Sequence, residues 1–277
     1  MTYQDILVHV PPIGCDEQIE AGISLAKAFG AHVTGICSLP EAALLKDALK
    51  NPFLRLSKEA VEGRVALEYE RAAAAEQQFA AAAQRAGLSY SWLLGEGDAA
   101  DLIVHACRLH DLAVVEQCGV VSELLWGPAV QLALSGHPAF IVPSAWQGAV
   151  VAPRALVAWN GSTQAASAVR NALPLLKRAE QVTLVQGRSR ETFPATMRVP
   201  ENDVLDYLRR HGVKVTEGAS DVPDAEAGPA ILMAAEEVGA QLIVMGAFGR
   251  SRFSEWILGG ATRHVLEHMK IPVFMAH

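Results

Sequence analysis

Two stretches of the chain read on one frame: Ser122–Pro143, SELLWGPAVQLALSGHPAFIVP, and Ser254–Ala276, SEWILGGATRHVLEHMKIPVFMA. Each opens on Ser-Glu, reaches a glycine (Gly127, Gly259), and closes on a proline flanked by an apolar run. The segments QDILVHVPP from Gln4 and RALVAWNGS from Arg154 match in the same way. A repeat about half the chain long means duplicated domains rather than a solenoid.

Within each half, apolar strand-like runs alternate with helical patterns. Ile6–Val10 is followed by a helical segment that stops at Gly30, then by HVTGICSL. An Ala-rich helical stretch over Lys58–Ala86 stops at Gly87, and the order continues through Tyr90–Leu94, a capped helix, LAVVEQ, a helix and AFIVP. The second half repeats it from ALVAW through QVTLVQ, VKVTEG, LIVMG and PVFMA. This alternation predicts parallel strands with right-handed crossovers. Continuous apolar strands such as LIVMG suit a sheet covered on both faces. The expected fold is α/β: two tandem open-sheet sandwiches, each a five-stranded, mainly parallel sheet flanked by about four helices. They span residues 1–146 and 153–277, joined through Ser144–Pro153. The first half carries extra residues, Ala43–Leu56, expected as a loop or short helix over the sheet.

Of the 277 residues, 51% are hydrophobic and 19% charged, enough for two cores but lean for a surface, so apolar area is expected between halves or subunits. The net charge of -7 and the lack of a Lys/Arg run argue against a nucleic-acid partner. No apolar stretch suits a membrane span and no signal peptide is evident. The four cysteines, Cys15, Cys37, Cys107 and Cys118, contain no CxxC, so reduced thiols and a cytoplasmic location are expected.

Gly246 and Gly249 follow a strand, and Gly259 and Gly260 precede a helix. In an open α/β sheet this is where ligands settle, and glycine lets backbone N–H groups approach an anion at a helix N-terminus. Thr262 adds a hydroxyl in the first turn, and Arg250 and Arg252 lie within reach of a phosphate. The plainer reading is that the glycines only close a turn and let a helix pack. The stretch is neither a P-loop, since no lysine lies between Gly246 and Thr262, nor a GxGxxG fingerprint. No GxSxG elbow is present, and no catalytic residue is assigned. His264 and His268 have metal-ligand spacing but equally suit cations near a helix end. His9, His105 and His110, with Cys107 or Cys118, are weighed as a small ligand or metal site against ordinary histidines. No metal ligand is assigned.

The run LIVMGAFGRSRFSEWILGGATRHVLEHMKIPVFMA resembles the C-terminal half of universal stress protein domains, whose signature is glycine, two residues, glycine, nine residues, then glycine with serine or threonine. Gly246, Gly249 and Gly259 match it, and ALVAWNGSTQAASAVRNALPLL resembles the family's first strand and helix. The duplication makes the whole chain similar to a tandem form, of the adenine nucleotide alpha hydrolase-like fold. The resemblance implies ATP or another adenine nucleotide as ligand, with Mg2+ as an accompanying ion. It implies Val185 near the adenine edge, and Gly246, Gly249, Gly259 and Thr262 along the phosphates. The family's hydroxyl after the third glycine is Gly260 here, and its aspartate after the first strand is Asn160. Asn160 still hydrogen-bonds a ribose but brings no charge.

The first half has Pro11 for Asn160, Pro128 for Gly260 and Val130 for Thr262. It is expected to bind no nucleotide and to pair with the second half through apolar surface, in place of one partner of a dimer. Further homodimerisation of the whole chain stays open. Three functions follow: an adenine-nucleotide-binding stress sensor or regulator, a partner-binding stress module without nucleotide, and a slow ATP hydrolase.

Overall fold

The computed structural model describes residues 2–14, 16–51, 54, 57–117, 127–144, 146, 151–187, 203–218, 222–223, 226–247 and 260–277. The first half runs β1 (Asp5–His9), α1 (Asp16–Phe29), β2 (His32–Leu39), α2 (Pro40–Leu49), α3 (Lys58–Arg85), β3 (Tyr90–Glu96), α4 (Ala99–Cys107), β4 (Leu112–Glu116), α5 (Pro128–Leu134) and β5 (Ala139–Val142). The second runs β6 (Arg154–Trp159), α6 (Thr163–Leu176), β7 (Gln181–Gln186), α7 (Val204–Arg210), β8 (Val215–Glu217), α8 (Ala227–Glu237), β9 (Leu242–Gly246), α9 (Gly260–His268) and β10 (Val273–Ala276).

Local signals account for most boundaries. Ser57 and Ser162 cap α3 and α6 by accepting from Ala60 N and Ala165 N. Asp98 caps α4 by accepting from Ala100 N and Asp101 N. Gly30, Gly87, Gly212 and Gly239 follow helices at positive φ, where a side chain would be strained. The extra residues of the first half include α2, which starts on Pro40 and packs on α3. Its Ala42 N–H donates to the buried carboxylate of Glu68 at 2.8 Å.

The two expected sheets are one. The strands form a single ten-stranded sheet in the order β3-β2-β1-β4-β5-β10-β9-β6-β7-β8. All neighbours are parallel except β5 and β10, which run antiparallel with Phe140 opposite Phe274. Both rings are fully buried. An antiparallel join between two parallel halves has the symmetry of a two-fold axis normal to the sheet. Corresponding helices therefore fall on the same face. One core holds Leu25 of α1, Phe79 of α3, Leu176 of α6 and Leu208 of α7. The other holds Ile103 of α4, Leu132 of α5, Ile231 of α8 and Val265 of α9. The carboxyl ends of β1–β5 and of β6–β10 point to opposite edges of the sheet.

Side chains lock the join on both faces. The Tyr3 hydroxyl donates to Asn171 O at 2.7 Å, and the Arg178 guanidinium lies 4.5 Å from the Phe29 ring centre. On the other face the Gln117 amide donates to Leu266 O at 2.6 Å. No helix among the described residues is long and apolar enough to cross a membrane.

Candidate nucleotide site

β6 lies between β7 and β9. The chain leaves β6 for α6 on one face, and α9, which follows β9, packs on the other face. Where successive connections part in this way, a crevice opens at the carboxyl edge of the sheet. The site is built there.

Asn160 follows β6. Its Oδ1 accepts from Ser162 N at 3.2 Å and from Ser162 Oγ at 2.7 Å. Ser162 Oγ in turn accepts from Ala165 N at 3.1 Å. Gly161, at φ +78°, makes the bend. A backbone N–H can only donate, so the amide oxygen of Asn160 must face Ser162. The Nδ2 group is left as the half that can meet a ligand, and it is a donor. Thus Asn160 anchors the start of α6 and offers an acceptor-seeking group beside it.

Gly246 ends β9. A Cβ there would lie 2.5 Å from Ala165 N and 2.6 Å from Gln164 C, in the first turn of α6. The glycine is required by that close approach. Gly260, the first residue of α9, is different: a Cβ there would meet nothing within 4 Å. Thr262 is 4% exposed and already has a partner in the fold. Gly249, Arg250 and Gly259 lie outside the described residues, as do Arg252, Trp256, Cys15 and Cys118.

Val185 is buried. It sits in register with Ala158, whose other neighbour is Met245. The three form an apolar row at the carboxyl edge, on the α8/α9 face. Gly187 comes close to Asn160, where a Cβ would lie 3.7 Å from the Asn160 Cβ. Ala158, Gly187 and Met245 were not singled out from sequence. Strand register alone identifies them, once β6 is known to lie between β7 and β9.

The first half fills the matching place with acid. Glu116 ends β4 as Gly246 ends β9, and α1 opens on Asp16 and Glu17. Burial raises the Glu116 pKa, and the nearby Glu17 charge raises it further. Neither α6 nor α9 carries an acidic residue in its first turn. On the α4/α5 face His9 takes the place of Ala158. Its Nε2 is enclosed without a hydrogen-bond partner, and burial pushes its pKa down to about 4.

The histidine and cysteine cluster does not assemble. His9 lies at the carboxyl end of β1, whereas His110 and Cys107 lie at the far end of α4, beside the start of β4. His110 Nδ1 is bonded to Ala106 O, and burial pushes the Cys107 thiol up to about 12. His264 and His268 stack at 4.3 Å between ring centres. Among the described residues no group of three His, Cys, Asp or Glu is placed to hold a metal.

Residues 153–277 match the universal stress protein family. A universal stress protein structure from Archaeoglobus fulgidus is 18% identical, with a TM-score of 0.72, over 98% of this chain and 95% of its own. A functionally unknown protein from Pseudomonas aeruginosa is 15% identical, with a TM-score of 0.56, over 98% and 92%. At such identities the likeness establishes the fold. No curated protein sequence matches the chain.

Proposed function

We propose, for a chain whose residues 153–277 belong to the universal stress protein family, that the second half binds an adenine nucleotide in the β6/β9 crevice and acts as a cytoplasmic stress sensor or regulator. The first half, residues 1–146, is its covalently attached pairing partner and binds no nucleotide. One observation carries this reading. In the second half α6 lacks an acidic first turn and β9 ends on Gly246, while the first half presents Asp16 and Glu17 on α1 and Glu116 at the end of β4 in the equivalent places. A helix N-terminus attracts a phosphate through its free N–H groups and dipole, and three carboxylates repel one. The Ala158–Val185–Met245 row supplies an apolar floor for a base, and Asn160 Nδ2 a donor to sugar or phosphate oxygen.

The donor set does not fit a protein-held magnesium ion. Asn160 Oδ1 is committed to Ser162, and neither α6 nor α9 brings a carboxylate in its first turn.

Equilibrium dialysis of the full chain against ATP, ADP and AMP tests the reading. Gly260→Asp is the decisive variant, because its side chain enters open space and an acid at a helix start favours the fold. Saturable binding that weakens about tenfold or more in Gly260→Asp is expected, from the loss of roughly 1.4 kcal/mol or more. No binding at millimolar nucleotide, or equal binding by Gly260→Asp, refutes the site.

A further inference from the structure

We propose that a cavity between α6 and α7 is a second ligand site and takes a small aromatic carboxylate. The cavity measures about 220 Å³ and lies on the α6/α7 face, opposite the Ala158–Val185–Met245 row. Its lining shares no residue with the β6/β9 crevice.

The duplication explains why the space exists. Gly87 and Gly212 end α3 and α7 alike, and counting back from them sets Val204 against Phe79. In the first half the Phe79 ring is fully buried against Trp92 and Tyr90. In the second half a smaller valine stands in its place, and α7 is only seven residues long against 28 for α3. The helices α1 and α3 pack on each other, whereas α7 rests mainly on β8. The cavity lies where the second half has the shorter helix and the smaller side chain.

The lining is chemically specific. Trp159, which replaces Val10 after the central strand, lines the cavity with Tyr207, Val169 and Val204. Two aromatic rings and two branched aliphatic side chains suit a planar aromatic body. Ala166, Arg170, Asp203 and Arg210 complete the lining. Arg209 pairs with Asp206, but among the described residues Arg170 and Arg210 have no carboxylate partner. A guanidinium meets a carboxylate through two parallel hydrogen bonds. Asp203 at the rim is occupied in capping α7, accepting from Leu205 N at 2.7 Å. Among the described lining residues its charge leaves one positive charge in excess, which matches a monoanion. The volume lies below the ~300–1,000 Å³ of drug-sized sites, so the ligand is on the order of ten heavy atoms.

The test uses the full, isotopically labelled chain and follows the indole N–H of Trp159, assigned through Trp159→Phe. Benzoate is titrated, with benzamide as the neutral control of the same shape. A saturable shift with benzoate is expected, about tenfold weaker or more with benzamide and in Arg170→Gln/Arg210→Gln. Ala166→Phe, which fills the cavity, should abolish it, while Gly260→Asp should leave it intact. No saturable shift, an equal response to benzamide, or full binding by the arginine double variant overturns the proposal. If Ala166→Phe fails to fold, the arginine variants, which alter only exposed side chains, still decide it.

Discussion

Single residues divide the crevice glycines into two kinds. Gly246 is held by backbone: a Cβ there collides with the first turn of α6, and the atoms it meets cannot swing away. Gly246→Ala should therefore cost ~1–3 kcal/mol in urea unfolding, as overpacking does. Gly260→Ala should instead be neutral or stabilise by up to ~1 kcal/mol, since it meets open space and removes chain entropy. Equal losses in the two variants would refute the distinction. Gly260→Ser restores the hydroxyl that the family resemblance expects, and should tighten nucleotide binding about tenfold, the worth of one bond to a charged group. An unchanged dissociation constant would show that Gly260 does not face the phosphates. His9 carries a pH signature. Its pKa is lowered from 6.5 to about 4 by burial, so below pH 6.5 the unfolded chain takes up a proton that the folded chain refuses. Stability should fall as pH drops from 6.5 to 4, by roughly 3 kcal/mol from this residue. Glu116, with its raised pKa, contributes the opposite sign. Urea midpoints at both pH values isolate the histidine, because His9→Gln keeps Glu116 and should lose less on acidification.

At the scale of elements, α6 matters most. Asn160, Gly161, Ser162 and Ala165 form one chain of contacts that starts the helix, and Gly246 receives it. Ser162→Ala removes the cap, so a cost of ~0.5–2 kcal/mol is expected in thermal or urea unfolding. It should also weaken nucleotide binding, because Asn160 Oδ1 loses one of its two donors and the amide is no longer fixed. A stable Ser162→Ala chain with unchanged affinity would separate the cap from the site. Helices and strands were legible from periodicity. The run HVTGICSL is β2 as read, and the pattern over Lys58–Ala86 matches α3 at Lys58–Arg85. The segment around Glu201–His211 became the shorter α7, and VKVTEG kept only Val215–Glu217 as strand. Edge elements have fewer neighbours, so their pairing follows local geometry more than pattern.

Over the whole molecule, the join of β5 to β10 determines shape. Phe274 is fully buried at that seam, and Phe274→Ala should cost ~3–5 kcal/mol through lost transfer energy and a cavity. Because one sheet runs through both halves, circular dichroism and tryptophan fluorescence should report a single urea transition. Two resolved transitions would mean that the halves fold independently. The second half alone, residues 153–277, would expose β10 as an unpaired apolar edge. Gel filtration should find it dimeric, since one β10 offers another a self-complementary strand. A monomeric fragment would contradict that. The amino-acid order by itself determined the duplication, the strand and helix alternation, the parallel halves and the glycines before α9. Each of these follows from periodicity or backbone freedom within a short window. Tertiary structure alone decided that the halves share one sheet with their carboxyl edges opposed, that Gly246 serves α6, and that Asn160 commits its amide oxygen to Ser162. It also decided that Ala158, Val185 and Met245 lie side by side, and that a cavity lies beside Val204 between α6 and α7. Strand register and helix contact join residues far apart in sequence, and no local pattern encodes which distant surfaces meet.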